Sequence, residues 1–174
     1  LPDVPEYDVV FLGNNYGDKR QQLYDVLRSL PCSVGIYGTG WPQAEGECNY
    51  DFAYGAALYK RAKVCISDNQ FSDARGYMSD RPIQIMGAGG FLLQQHVKGL
   101  KQLTGMVNGA HYVPWQTIEA LPKLMPRLLN AKNDPIRACI AAQAQQFVVE
   151  RHTWDARVSM VVGELLPKVK ERAS

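Results

Sequence analysis

Arg81-Pro82-Ile83-Gln84-Ile85-Met86-Gly87-Ala88-Gly89-Gly90-Phe91-Leu92-Leu93 is the stretch that decides the fold. Ser79 or Asp80 stands where a helix N-cap would, and Pro82 suits the first helical turn. Ile83 and Met86 share a helical face, Gly89-Gly90 end the helix, and Phe91-Leu92-Leu93 begin a buried strand. A helix that stops on two glycines and passes directly into an apolar strand is half of an α/β unit. Its first turn carries free N–H groups and a partial positive charge, to which Arg81 adds a full one. Gln84, one turn further on, offers an amide that both donates and accepts. This set suits a phosphate and a neighbouring sugar hydroxyl. It equally describes a capped helix with a solvated Arg and Gln, and on these residues alone the simpler reading has the better claim.

The flanking sequence repeats the alternation. Strand patterns run over 7–13, 33–38, 63–67, 90–93 and 111–113. Between them lie a helix from about 18 to 30 with Leu23, Val26, Leu27 and Leu30 inward, a shorter one over 52–61 with Leu58 inward, the Arg81 helix, and a helical turn over 97–103. The 68–78 connection is long and lacks apolar periodicity, as binding loops do. Three helical segments close the chain. The first is capped by Thr117 and broken by Pro122 and Pro126; the second starts at Asp134-Pro135 and carries Ile136, Ile140, Phe147 and Val148 inward; the third covers about 153–174. The expectation is α/β: a single Rossmann-like domain over 1–174, with a mostly parallel five-stranded sheet, right-handed crossovers and helices on both faces.

Bulk composition narrows the function. The chain has 174 residues, 46% apolar and 21% charged, with a net charge of +2. That is a folded domain with a sizeable core and no general basic surface for nucleic acid. No apolar run reaches membrane length and no signal peptide precedes the first strand, so the expected location is cytoplasmic. The chain opens on Leu-Pro rather than Met, as a fragment of something longer would. Cys32, Cys48, Cys65 and Cys139 share no metal-ligand spacing and read as idle thiols in a reducing compartment, and no metal is expected. His96, His111 and His152 show no ligand spacing either, and His152 sits where an imidazole commonly caps a helix end or packs. There is no G-x-G-x-x-G, P-loop or G-x-S-x-G, and the first strand lacks the acid cluster of a receiver domain or the phosphate loop of a flavodoxin.

Parallel sheets bind ligands at the carboxyl ends of their strands. Here those ends carry Gly13-Asn14-Asn15-Tyr16, Gly38-Thr39-Gly40-Trp41 and Ser67-Asp68-Asn69, converging with the Arg81 helix. Gly17 permits close approach of a ligand, and Lys19 or Arg20 offers charge to a phosphate, though two solvated cations on a surface turn explain the pair as well. Trp41 reads equally as a platform for a base and as a buried sheet-end residue. The expected cleft is lined by Asn14, Asn15, Tyr16, Arg20, Gly38, Gly40, Ser67, and Ser79 through Arg81 to Gln84. Asp68, Asp73 and Asp80 share the long loop without marking an acid–base pair.

Four blocks in order resemble the CgeB-like (spore maturation protein-like) glycosyltransferase family: Val10 to Tyr16 with Arg20, Ile36 to Trp41, Arg81 to Leu93, and His152-Thr153 with Arg157. Together they span about 8–162. The resemblance implies the C-terminal, donor-binding half of a GT-B glycosyltransferase. It would hold a nucleotide diphosphate sugar as donor substrate without a metal or other cofactor. The N-terminal acceptor domain, which supplies the catalytic base in inverting members, would come from elsewhere in a longer enzyme or from a partner chain. Arg20 and the Arg81 helix would face the diphosphate, and position 84 the ribose. The family usually has Glu there, whereas this chain has Gln84. In such enzymes the last helix crosses back to brace the other domain, so Val158, Val161, Val162 and Leu165 are expected to be partly exposed. A non-catalytic module of the same fold, binding a nucleotide, a glycan or a protein, is the rival reading.

Overall fold

The structure is a computed structural model, and it describes residues 2–47, 51–71, 73–166 and 169. Five strands, β1 (Val9–Leu12), β2 (Val34–Tyr37), β3 (Val64–Ser67), β4 (Leu92–Gln95) and β5 (Val113–Trp115), form one sheet in the order β2-β1-β3-β4-β5. Every pairing is parallel, with Val10 opposite Gly35, Val9 opposite Val64, Ser67 opposite Gln94 and Gln94 opposite Pro114. A strand's side chains alternate between faces, so short β-branched runs buried on both sides fit a sheet covered twice. Val9, Phe11, Ile36, Ile66 and Leu93 enter one core; Val10, Tyr37, Cys65 and Leu92 enter the other.

The helices are α1 (Asp18–Arg28), α2 (Phe52–Arg61), α3 (Arg81–Gly87), α4 (Leu100–Thr104), α5 (Leu121–Leu129), α6 (Asp134–Arg151) and α7 (Trp154–Met160). Leu23 and Leu27 of α1 and Leu121 and Met125 of α5 cover the Val9 face. Ala57 and Leu58 of α2, Ile85 and Met86 of α3, and Ala144, Phe147 and Val148 of α6 cover the Val10 face. Both α1 and α3 therefore begin at the strands' carboxyl edge, directly above the turns that follow β1 and β3.

Several local expectations shift. Strand β4 starts two residues late and runs into Gln94 and Gln95, because pairing with Ser67 keeps polar residues in register at the sheet's end. Strand β5 lies at Val113–Trp115 rather than 111–113, with Pro114 inside it. It is an edge strand, and Trp115 O accepts from His96 N, so the missing N–H of Pro114 faces away from the sheet. Neither Ser79 nor Asp80 caps α3: Asp80 is itself helical (φ −72°, ψ −21°), and its carboxylate accepts instead from Gln84 Nε2 at 2.7 Å. Thr117 precedes a single 3-10 turn, Ile118–Ala120, without a side-chain bond, and α5 restarts with Pro122 in its first turn. Ile136 is exposed rather than inward, since α6 buries Arg137 and Ile140 on that turn. Thr153 does cap α7, accepting from Ala156 N at 3.2 Å. Cys48, Asn49, Pro167 and the Leu165 side chain lie outside the described residues.

Candidate functional site

Asp68 directly follows β3 and is the centre of the carboxyl edge. It is 2% exposed and accepts from two arginines. Arg20, from the first turn of α1, meets it with a two-pronged contact: Nε to Oδ2 and Nη2 to Oδ1, both 3.0 Å. Arg81, the first residue of α3, donates through Nη1 to Oδ1 at 2.9 Å and to the Asp68 carbonyl at 3.2 Å. Both guanidiniums lie over the Phe11 ring, at 5.6 Å for Arg20 and 4.9 Å for Arg81, and Arg20 also faces Tyr16 at 5.0 Å. Two cations on one carboxylate leave a surplus positive charge at a sheet edge where two helices begin.

The turn after β1 fits around this pair. Arg20 Nη1 donates to the Asn14 carbonyl. Asn14 Oδ1 accepts from Thr39 N at 2.9 Å, which ties the β1 turn to the β2 turn, and Asn15 Oδ1 accepts from Gly17 N at 3.1 Å. A side chain at Gly13 would come within 2.5 Å of Arg81 Nη2; one at Gly38 (φ 136°) would come within 2.3 Å of the Gly13 carbonyl. Only glycines let the two strand ends and the guanidinium approach this closely. Gly40 also takes a positive φ and passes against Asn15.

Arg81 and Gln84 line a cleft of about 510 Å³ between α2 and α3, with Leu12, Phe52, Tyr59 and Asp80 among its other walls. A smaller pocket of about 140 Å³ lies over Tyr16 to Arg20, Asp68 and Gln70. Arg81 lines the larger, and Arg20 and Asp68 the smaller. Lys19 reaches across the same edge, donating to the Asn69 carbonyl at 2.6 Å and to Gln95 Oε1 at 3.1 Å. Burial pulls its ammonium below the ordinary lysine range, with Asp68 opposing. The hydroxyls of Ser67 and Ser79 and the Asn69 amide nitrogen are buried without a hydrogen-bond partner among the described residues.

A glycosyl transferase-like family model matches residues 8–163. The chain belongs to that family. No curated protein sequence matches it significantly. Among solved structures, sucrose-phosphate synthase from Thermosynechococcus elongatus superimposes with a TM-score of 0.68 at 14% identity, over 95% of this chain and 46% of that one. Anabaena HepE, solved in complex with UDP, gives a TM-score of 0.69 at 13% identity, over 94% and 49%. TarM gives 0.63 at 14%, over 93% and 36%. This glycosyl transferase-like chain thus spans less than half the length of those structures, and its sheet corresponds to one half of a GT-B fold.

Against the sequence expectations, the structure brings Asn14, Asn15, Tyr16, Arg20, Gly38, Gly40, Ser67, Ser79, Arg81 and Gln84 to one edge, but in different positions. Arg81 and Gln84 line the larger cleft and Tyr16 and Arg20 the smaller; Asn14, Asn15, Gly38 and Gly40 shape the turns; Ser67 is fully buried. Asp68 is named in the sequence only as one of three loop acids and a strand-end residue, because an acid among three carries no signal of its own; its position directly after a buried strand, with an arginine opening the next helix, is the available clue. Trp41 turns out to pack: its Nε1 donates to the Gly13 carbonyl at 2.8 Å, and its ring stacks on Tyr24. Among the described residues no helix is long and apolar enough to cross a membrane, and no group of His, Cys, Asp and Glu is arranged to hold a metal.

Proposed function

We propose that this chain binds the nucleotide diphosphate sugar donor of a GT-B glycosyltransferase of the CgeB-like type, for transfer of the sugar to an acceptor held by a second domain or a partner chain. The observation that carries the reading is Arg81, held by Asp68 at the uncapped start of α3 and opening into the same cleft as Gln84. Donor chemistry asks for this arrangement. When the bond from the sugar's anomeric carbon to the diphosphate breaks, negative charge grows on the leaving phosphate, and a preorganised cation with helix N–H groups stabilises it without a metal. Gln84, three residues on and lining the same cleft, would meet the ribose. The cavity volume accommodates a nucleotide.

The non-catalytic alternative has one observation in its favour: Gln84 is neutral and already engaged by Asp80 at 2.7 Å, which weakens its grip on a ribose. Thermal denaturation of the 174-residue chain with UDP, GDP or ADP, each against its own nucleoside, tests the donor reading. A diphosphate at one hundred times its Kd stabilises the fold by about 2.7 kcal/mol, whereas the nucleoside, lacking the anion, gives little shift. Equal shifts with nucleoside and diphosphate, or none with any diphosphate, would overturn it.

A further inference from the structure

Resting on the donor reading, we infer that Arg20 and Asp68 are positioning residues that aim Arg81, and that Arg81 alone of the two arginines touches the ligand's phosphates. A guanidinium has five N–H bonds on three nitrogens. Arg20 uses all three nitrogens inward: Nε and Nη2 on Asp68, and Nη1 on the Asn14 carbonyl. Its faces lie against Phe11 and Tyr16; its side chain is 10% exposed and that of Arg81 11%, so bonding rather than exposure separates the two. Arg81 is engaged differently. Only Nη1 bonds to Asp68; Nε and Nη2 make no hydrogen bond among the described residues, and Nη2 lies over Gly13 at the strand end. Asp68 Oδ1 is shared between Arg20 Nη2 and Arg81 Nη1, so Arg20 fixes the carboxylate and the carboxylate fixes Arg81. The third element is Phe11, whose ring lies beneath both guanidiniums. A planar fork locked on one side presents its remaining edge to a phosphate at little further cost in side-chain freedom.

The assignment yields a sign test. Were charge alone at work, Asp68→Asn would remove a carboxylate next to two cations and tighten an anion. Aiming predicts the reverse, since an amide cannot accept from both arginines as the carboxylate does: affinity for the tightest of UDP, GDP and ADP falls about tenfold or more, by titration calorimetry. Arg20→Lys keeps the charge and loses the fork, and should fall comparably; a direct phosphate contact as a point charge would survive that change. Tighter binding in Asp68→Asn, or unchanged binding in Arg20→Lys, overturns the assignment.

If either variant fails to fold, arginine Nε–H NMR on the wild-type chain decides. The Arg81 signal moves on titration and the Arg20 signal stays; the opposite order contradicts the assignment. Inorganic pyrophosphate separates the two ideas. Movement of Arg81 with pyrophosphate, without binding of any nucleoside diphosphate, sinks the nucleotide reading and leaves the aiming role standing. Failure of both ligands to bind sinks both.

Discussion

At the carboxyl edge of the sheet, charged groups are buried; along the last helix, apolar groups are exposed. Arg20 and Asp68 are almost wholly enclosed, while Trp154 is 86% and Val158 55% exposed, with Val161 and Val162 similarly open. Each region inverts the usual distribution, for opposite physical reasons. Buried ions persist only when paired and hydrogen-bonded, and the edge pairs Asp68 with both arginines from within the chain. An exposed apolar strip gains nothing from water and marks a surface where something packs. In the donor-half reading, the occupant of that strip is the other half of the enzyme. The edge is therefore expected to be sensitive to single changes in this chain, and the strip insensitive until a second surface is present.

The largest effect is expected at the edge. Asp68→Ala leaves two buried guanidiniums without a counter-ion and should cost about 3–5 kcal/mol in urea unfolding. A loss under 1 kcal/mol would mean that the arginines swing out to water and that the edge is not preorganised. Gly38→Ala comes next. It places a methyl against the Gly13 carbonyl at a backbone angle that side chains rarely adopt, for a cost of about 1–3 kcal/mol in the same assay.

The α6–α7 junction gives a smaller, pH-dependent term. His152 is held below its ordinary pKa of 6.5 by burial first and then by Arg157, and His111 by burial and Arg151. Both imidazoles are built in as acceptors: Arg157 Nη2 lies 2.7 Å from His152 Nδ1, and Val107 N donates to His111 Nδ1 at 3.1 Å. With folded pKa values below the unfolded ones, the unfolded chain binds more protons. The stabilisation is thus full above about pH 6.5 and is lost as pH falls through the lower folded values. Melting scans from pH 7.5 to 5 should show a steeper decline in wild type than in His152→Gln; parallel curves would remove His152 from the explanation. Smallest of all, Val158→Lys should alter the stability of this chain by no more than about 0.5 kcal/mol, as substitutions on an uncovered surface do. A loss of 2 kcal/mol would show that α7 is packed within the domain after all.

The two regions were not equally legible. Alternating strand and helix patterns, the glycine-punctuated Arg81 helix and the sheet class follow from hydrophobic period and turn chemistry, which are local. The apolar tail was legible for the same reason, since its Val residues have no polar alternation to hide. What escaped was long-range pairing. Nothing within a few residues of Asp68 shows that Arg20, 48 positions away, will meet it. Gln94 and Gln95 were left out of a strand because their polarity opposes burial; their place depends on pairing with Ser67 and on bonds from Lys19 and Asn69 to Gln95. The helix start at Arg81 was clear, but its cap was misjudged, because Asp80 is itself helical and its carboxylate turns to Gln84.

Position 84 tests the donor reading most directly. In the donor reading Gln84 would meet a ribose with one acceptor oxygen and an NH2 held by Asp80, whereas a carboxylate would accept from both hydroxyls. Bonds to a charged acceptor contribute roughly 1.5–3 kcal/mol against about 0.5–1.5 for neutral ones. Repulsion from a diphosphate a few ångströms away offsets part of that gain. Calorimetric titration of UDP, GDP and ADP into the wild type, Gln84→Glu, Gln84→Ala and Arg81→Ala should show one diphosphate binding a few fold to about tenfold tighter to Gln84→Glu. It should bind more weakly to Gln84→Ala, and most weakly to Arg81→Ala, with reduced salt dependence. A wild type that binds a diphosphate with an affinity that neither change at position 84 alters would place the ribose elsewhere and contradict the donor site as drawn.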